Sequence, residues 1–185
     1  MQRDLVVRAR TGDHDAFAEL VTAAIPHLNP IAWLILRSPE QAADAVQNAL
    51  VQAWRELPTL RDPERFDAWL RRLLVRACID EARRLRRHRH EITIDAIVPP
   101  TVPDGSAAVI DRDLLDRAFQ RLEPEARTLI VLHHYLDLPL ADVAETLRIP
   151  LGTAKSRLHR GLREMRAALD ADARFRTELL EGRPA

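Results

Sequence analysis

The sequence predicts an all-α chain of two small helical domains joined by a Pro-rich linker. Three observations carry this. Apolar residues recur at three- and four-residue spacing through most of the chain, and no segment alternates convincingly over strand length. Aromatics make up 4% of the residues and glycine only five of 185, which suits helices better than a sandwich or a barrel. Finally, "VPPTVPDGS" (Val98–Ser106) places three Pro and one Gly in nine residues with no helical period, as a linker does. The length allows two small domains, and an apolar fraction of 46% is enough to pack them.

The elements follow in order. A helix is expected from about Asp13 to Ile25, with Asp13 as its N-cap and Phe17, Leu20 and Val21 turned inward. A second should span Asn29 to Leu36. In "SPEQAADAVQNALVQAWREL", Ser38 is the N-cap of a third, Pro39 takes the first helical position and Gln41 closes a capping box. Ala42, Val46, Ala49, Leu50, Ala53, Trp54 and Leu57 then form one apolar stripe. Asp62 and Pro63 repeat the entry signal for a long helix to Arg87, in which Phe66, Leu70, Leu73, Leu74 and Ala77 point one way. "EITIDAIV" (Glu91–Val98) is too isolated to pair as a strand.

Beyond the linker, Leu114, Leu115, Ala118, Phe119 and Leu122 lie on one helix. Pro124 begins another, carrying Leu129, Ile130, Leu132, His133 and Leu136. A short helix from Leu140 to Leu147, a tight turn at "RIPLG" and a long basic helix from Thr153 complete a helix-turn-helix pattern. The domains expected are therefore 1–91, a linker 92–108, a second domain 109–170 and a tail 171–185 that forms a frayed helix.

Charge is segregated although its formal sum is zero. Arg71 to His90 holds eight Arg against Asp80 and Glu81, a local charge of +6. Thr153 to Arg166 holds five basic residues against Glu164, or +4. The remaining residues therefore carry −10, and two basic patches on an acidic background suit two contacts with one polyanion. A solvated helix face would instead intersperse acidic partners four residues away.

On the last helix, Ala154, Leu158, Gly161, Leu162 and Met165 share one side at about 100° per residue. Thr153, Lys155, Ser156, Arg157, His159, Arg160 and Arg163 are left to face out, and these groups suit phosphates and guanine edges in a major groove. Thr153 can also offer its hydroxyl and backbone N–H to a phosphate at the positive end of the helix. A protein-binding helix is the alternative. In the first patch, Arg72, Arg76 and Arg83 fall within about 40° of one another. Trp69 borders that arc, and Arg84, Arg86, Arg87 and Arg89 extend the charge. Such a surface suits a single strand and unstacked bases, with Trp69 equally readable as core. The third helix aligns Asp44, Gln47, Asn48 and Gln52 on its polar side, which by itself calls only for solvent or a polar partner.

The lone Cys78 excludes an internal disulfide and is expected as a buried thiol. With no apolar run near 18 residues and no signal-peptide pattern, the chain is expected to be soluble, cytoplasmic and not inserted in a membrane. No cofactor, metal or catalytic site is expected. His133 and His134 face different sides of a helix and lack a third ligand, and Asp13 in "DHD" serves as a cap.

Taken together, "DAVQNALVQAWREL", "RFDAWLRRLLVRACIDEARR" and "LADVAETLRIPLGTAKSRLHRGLREMRAAL" resemble, in the family order, bacterial RNA polymerase sigma factors of the extracytoplasmic-function (ECF) type. The resemblance runs from about Arg8 to Leu169. It implies a region-two helical bundle and a region-four helix-turn-helix domain with no region three between them. It also implies that Asp44, Gln47, Asn48 and Gln52 bind core RNA polymerase at the clamp helices of its largest subunit, with a further contact at the flap region. Arg61 in the loop Leu57–Arg61, with Trp69, Arg72, Arg76, Arg83, Arg84 and Arg87 on the following helix, would melt and read the −10 element of promoter DNA. The helix from Thr153 would sit on the −35 element, and the linker would run through the RNA exit region. An anti-sigma factor is implied as a further partner, although no residue here demands one.

Three positions depart from the family pattern: Asn48 where Glu is frequent, Arg76 where Asn is frequent, and Arg148 where many helix-turn-helix turns have Gly. A left-handed Arg148 would cost about 1 kcal/mol. A stand-alone helix-turn-helix regulator is the alternative function, but it leaves the first basic patch and the Asp44–Gln52 face without a purpose.

Overall fold

The computed structural model describes residues 1–91 and 107–181, with side chains for 1–85 and 114–172. The linker expected at 92–108 and the "EITIDAIV" stretch therefore fall almost wholly outside the described residues, as do the side chains of Arg86, Arg87 and Arg89. The described chain is helical without strands and falls into two compact units, the first built on α1–α4 and the second chiefly on α5–α8. These helices are α1 (Gln2–Arg10), α2 (His14–Leu36), α3 (Pro39–Glu56), α4 (Phe66–Glu91), α5 (Ala107–Arg121), α6 (Pro124–Ile130), α7 (Leu140–Leu147) and α8 (Leu151–Glu181).

In the first unit α1 packs on α2, and α2, α3 and α4 pack on one another. Asp13 caps α2 as expected, accepting the Ala16 N–H at 3.0 Å and pairing with Arg8 at 2.7 Å. The cap hydrogen bond and Arg8 hold the Asp13 carboxyl below its ordinary value. Ser38 accepts from the Gln41 N–H at 3.4 Å at the start of α3. Asp62 accepts from the Glu64 N–H at 3.1 Å over a 3₁₀ turn, Pro63–Arg65, that leads into α4.

The two helices expected over Asp13–Ile25 and Asn29–Leu36 are one. Pro26 and Pro30 lie inside α2, where each removes a backbone donor and ordinarily breaks a helix. Here they sit four residues apart on an exposed face, so the affected carbonyls can meet water. The opposite face continues uninterrupted into the core through Leu28, Ile31, Ala32 and Ile35. The most apolar 18-residue stretch of the 23-residue α2 has a mean hydropathy of 1.3, so by length and composition alone the helix could cross a membrane, although no continuous apolar run is that long. His, Thr and Asn are interspersed in that stretch, and α2 serves as a bundle helix with seven buried residues. Its end is set by Arg37, left-handed at φ 57°, whose guanidinium lies 3.7 Å above the Trp33 ring.

A ridge of buried alanines on α3 (Ala42, Ala45, Ala49 and Ala53) presents little bulk, so its neighbours pack closely. Helix α4, which packs on α3 and α2, buries Phe66, Leu70, Leu73, Leu74, Val75 and Cys78, and a fully buried aliphatic or aromatic side chain is worth about 1.5–3 kcal/mol. Cys78 is wholly buried, and burial pushes its thiol up to about 12, so it stays protonated and inert.

In the second unit α5 and α6 pack on α8. The helix begun by Pro124 keeps its α form only to Ile130, then widens to a π turn over Val131–Tyr135. The Leu136 N–H reaches back to the Val131 carbonyl at 3.0 Å, and the Leu138 carbonyl lies 2.8 Å from His133 Nδ1. A tether from Arg121 to Asp172 at 3.1 Å joins α5 to α8. Helix α8 extends to Glu181, so it takes in most of the segment expected as a tail.

Candidate nucleic-acid interface

The turn between α7 and α8 determines how α8 is presented. Arg148 adopts the left-handed conformation at φ 53°, and the Ile149 N–H closes back on the Ala144 carbonyl at 3.0 Å. That six-to-one bond is a helix stop normally built with glycine. Helix α8 then starts at Leu151, two residues earlier than expected, and its first backbone bond is Ala154 N–H to Pro150 O at 3.0 Å. Thr153 therefore stands in the first turn, where N–H groups have no intrahelical acceptor.

The inward side of α8 is as the spacing predicts. Ala154, Leu158 and Gly161 are buried, and Leu162 and Met165 are half-buried. Gly161 lies against α6, where an added Cβ would come within 3.1 Å of Ala126 Cβ. Lys155, Ser156, Arg157, His159, Arg160 and Arg163 are all exposed, over an arc of about 200°. Ser156 donates its hydroxyl proton to the Thr153 carbonyl at 3.1 Å, so toward a partner it acts as an acceptor.

The basic helix of the first unit is less uniform. Arg61 and Arg72 are exposed, as is Arg83, while Arg76 is half-buried. Arg76 Nε is enclosed and has no hydrogen-bond partner among the described residues. Trp69 is half-buried. Its ring centroid lies 6.0 Å from that of the core residue Phe66, the two rings tilted by 43°. Arg84, about 100° around α4 from Arg83, folds back on Glu81.

Asp44, Gln47 and Asn48 are exposed on α3, and Gln52 donates to Glu56 at 2.9 Å. With Ala77, Asp80, Glu81 and Arg84 of α4 they line one polar groove of about 620 Å³. A second, apolar groove of about 580 Å³ runs between α2 and α3 and was not anticipated. Leu50 and Trp54, expected on the apolar stripe of α3, line it together with Phe17 and Val21. Trp54 stacks there on His14 at 4.5 Å and meets Phe17 at 4.9 Å. Helical spacing identifies an apolar face but not whether anything covers it.

A family model for sigma-70 region 2 matches residues 7–88, and one for sigma-70 region 4 matches residues 112–165. The ECF RNA polymerase sigma factor SigM of Mycobacterium tuberculosis is 32% identical over 157 residues, 85% of this chain and 79% of its own length. The chain belongs to the ECF sigma factors. Sigma factors are transcription-initiation factors and not enzymes. The ECF RNA polymerase sigma factor SigW of Bacillus subtilis is 29% identical over 184 residues, 91% of this chain and 97% of its own. Among solved structures, CnrH in complex with the cytosolic domain of CnrY superposes with a TM-score of 0.62 at 25% identity, over 92% of this chain and 98% of that one. The sigma factor RpoE of Bartonella quintana, solved with the anti-sigma factor NepR, shares the fold with a TM-score of 0.64 at 23% identity, over 84% and 98%.

Proposed function

We propose that this ECF sigma factor binds core RNA polymerase in the cytoplasm and directs it to promoters through two separate DNA contacts. The exposed face of α8 carries the proposal. Lys155, Arg157, His159, Arg160 and Arg163 project from a helix whose other side is fixed by Ala154, Leu158 and Gly161. A helix held that way can enter a major groove, with its side chains reading base edges and Thr153 and Lys155 engaging phosphate. On this reading α8 takes the −35 element as duplex.

Arg61, Trp69, Arg72, Arg76, Arg83 and Arg87 take the −10 element as it opens. The support is the exposure of Arg61, Arg72 and Arg83 with a half-exposed indole at Trp69, a surface suited to a displaced strand. Asp44, Gln47, Asn48 and Gln52 take the clamp helices of the largest polymerase subunit. The support is that Asp44, Gln47 and Asn48 are exposed on one side of α3 and line a polar groove together with Gln52. The linker passes the RNA exit region toward the flap, and an anti-sigma factor restrains the protein when it is not needed, as family resemblance suggests.

The test is co-purification with core RNA polymerase followed by run-off transcription on a promoter library. A sequence-selective start that needs this chain is the expected result. DNA binding that never recruits polymerase would instead favour a stand-alone regulator.

A further inference from the structure

Arg84 and Glu81 lie one turn apart on α4 and form a two-point fork. Arg84 Nε donates to Glu81 Oε2 at 3.0 Å, and Nη2 donates to Oε1 at 2.7 Å. The two partners are unequal. The Glu81 side chain is 6% exposed, whereas that of Arg84 is 57% exposed. A buried carboxylate is costly unless it is paired, so Glu81 depends on this guanidinium. The guanidinium in turn loses the freedom to swing toward the arc formed by Arg72, Arg76 and Arg83. The pair faces the α3 groove, where Asp44 also acts electrostatically on Arg84.

We infer that Arg84 is a core-polymerase contact, not a −10 DNA contact, and that Glu81 is the positioning residue that holds it there. The inference rests on the proposed role of the Asp44–Gln52 face. An arginine has five N–H donors, and the fork occupies two. The rest belong to a side chain that lines the same groove as Asp44 and Gln47 and is 57% exposed, so they are open to an acceptor on the partner such as a carboxylate or a backbone carbonyl. The polymerase face is then built by two helices. Helix α3 supplies Asp44, Gln47 and Asn48, and α4 adds a guanidinium whose geometry is set in advance. An arginine held in this way loses less conformational entropy on binding than a free one.

The experiment titrates fluorescently labelled full-length protein with core RNA polymerase. It then measures permanganate-reactive thymines at saturating polymerase. Arg84→Ala should weaken core binding by about tenfold or more, the usual consequence of losing a charge-assisted contact. Arg84→Lys keeps the charge but cannot form the fork, so it should restore only part of the affinity. Glu81→Gln retains the shape and one acceptor oxygen and should lie between wild type and Arg84→Ala. All three should recover wild-type promoter opening once polymerase is saturating, and circular dichroism should give them a native fold at the assay temperature. If Arg84→Ala binds core polymerase like wild type while Asp44→Ala with Gln47→Ala does not, the inference fails and the clamp assignment stands. If neither affects core binding, the clamp assignment itself fails. A defect in opening that persists at saturating polymerase would return Arg84 to the DNA arc. Full restoration by Arg84→Lys would remove Glu81 from any positioning role.

Discussion

Gly161 of α8 and Ala126 of α6 approach so closely that a Cβ on the glycine would stand 3.1 Å from the alanine Cβ and 3.5 Å from Ile130 Cδ1. The proposed reading helix is therefore seated on the body of its domain at a point with no room for a side chain.

Replacing Gly161 with valine should push α8 away from α6. Overpacking of this kind costs about 1–3 kcal/mol. The expected outcome is a lower unfolding midpoint for the second unit together with weaker duplex binding. Gly161→Ala should cost less, because a single methyl requires a shift of only tenths of an ångström. Equal stability of the valine variant and wild type, measured by urea unfolding, would show that the contact is not tight in solution.

Arg148 holds a left-handed conformation that glycine adopts freely. Arg148→Gly should therefore relieve roughly 1 kcal/mol of backbone strain, offset in part by the greater entropy of glycine in the unfolded chain. Thermal unfolding should show unchanged or raised stability, and Arg148→Ala should gain nothing. A loss with glycine comparable to that of a core truncation would mean that the arginine side chain, not the turn, sets the geometry.

The Asp13 cap gives a pH signature. Its carboxyl lies below the ordinary 3.8 because the Ala16 N–H and Arg8 favour the charged form. A carboxylate depressed on folding adds stability that is fully present above its unfolded value and lost as pH falls through the folded one. Acid unfolding followed from pH 6 to pH 2 should therefore show part of its loss below about pH 4. Asp13→Asn should flatten that limb, since it keeps a capping oxygen without the charge. Identical acid limbs in the two proteins would remove Asp13 as a contributor.

What the sequence made legible was mostly local. Caps at Asp13, Ser38 and Asp62 depend on one side chain and one nearby N–H, so their spacing announces them. The inward side of α8 was equally plain, because Ala154, Leu158 and Gly161 follow one helical period. What the spacing did not announce depends on something distant. Pro26 and Pro30 read as a break, yet their four-residue spacing puts both on the exposed side of a helix whose other face is buried. The pairing of Arg84 with Glu81 is written at i and i+3, but spacing alone does not reveal that Glu81 is buried. Leu50 and Trp54 fit an apolar stripe, and nothing in their spacing reveals an open groove. The π turn over Val131–Tyr135 has no signal in "VLHHY".

The two basic patches are proposed to grip different states of the same DNA, and permanganate footprinting with a matched and a pre-melted promoter tests this most directly. Replacing Arg76 and Arg83 with alanine should leave much of the −35 duplex affinity but reduce reactive thymines at the start site. A bubble opened in advance over the −10 element should restore part of the lost transcription. Replacing Arg157 and Arg160 with alanine should weaken closed-complex binding, by about 1–3 kcal/mol for a base-reading residue, and the bubble should restore little. Equal rescue of both pairs by the pre-melted template would contradict the division of labour between α4 and α8.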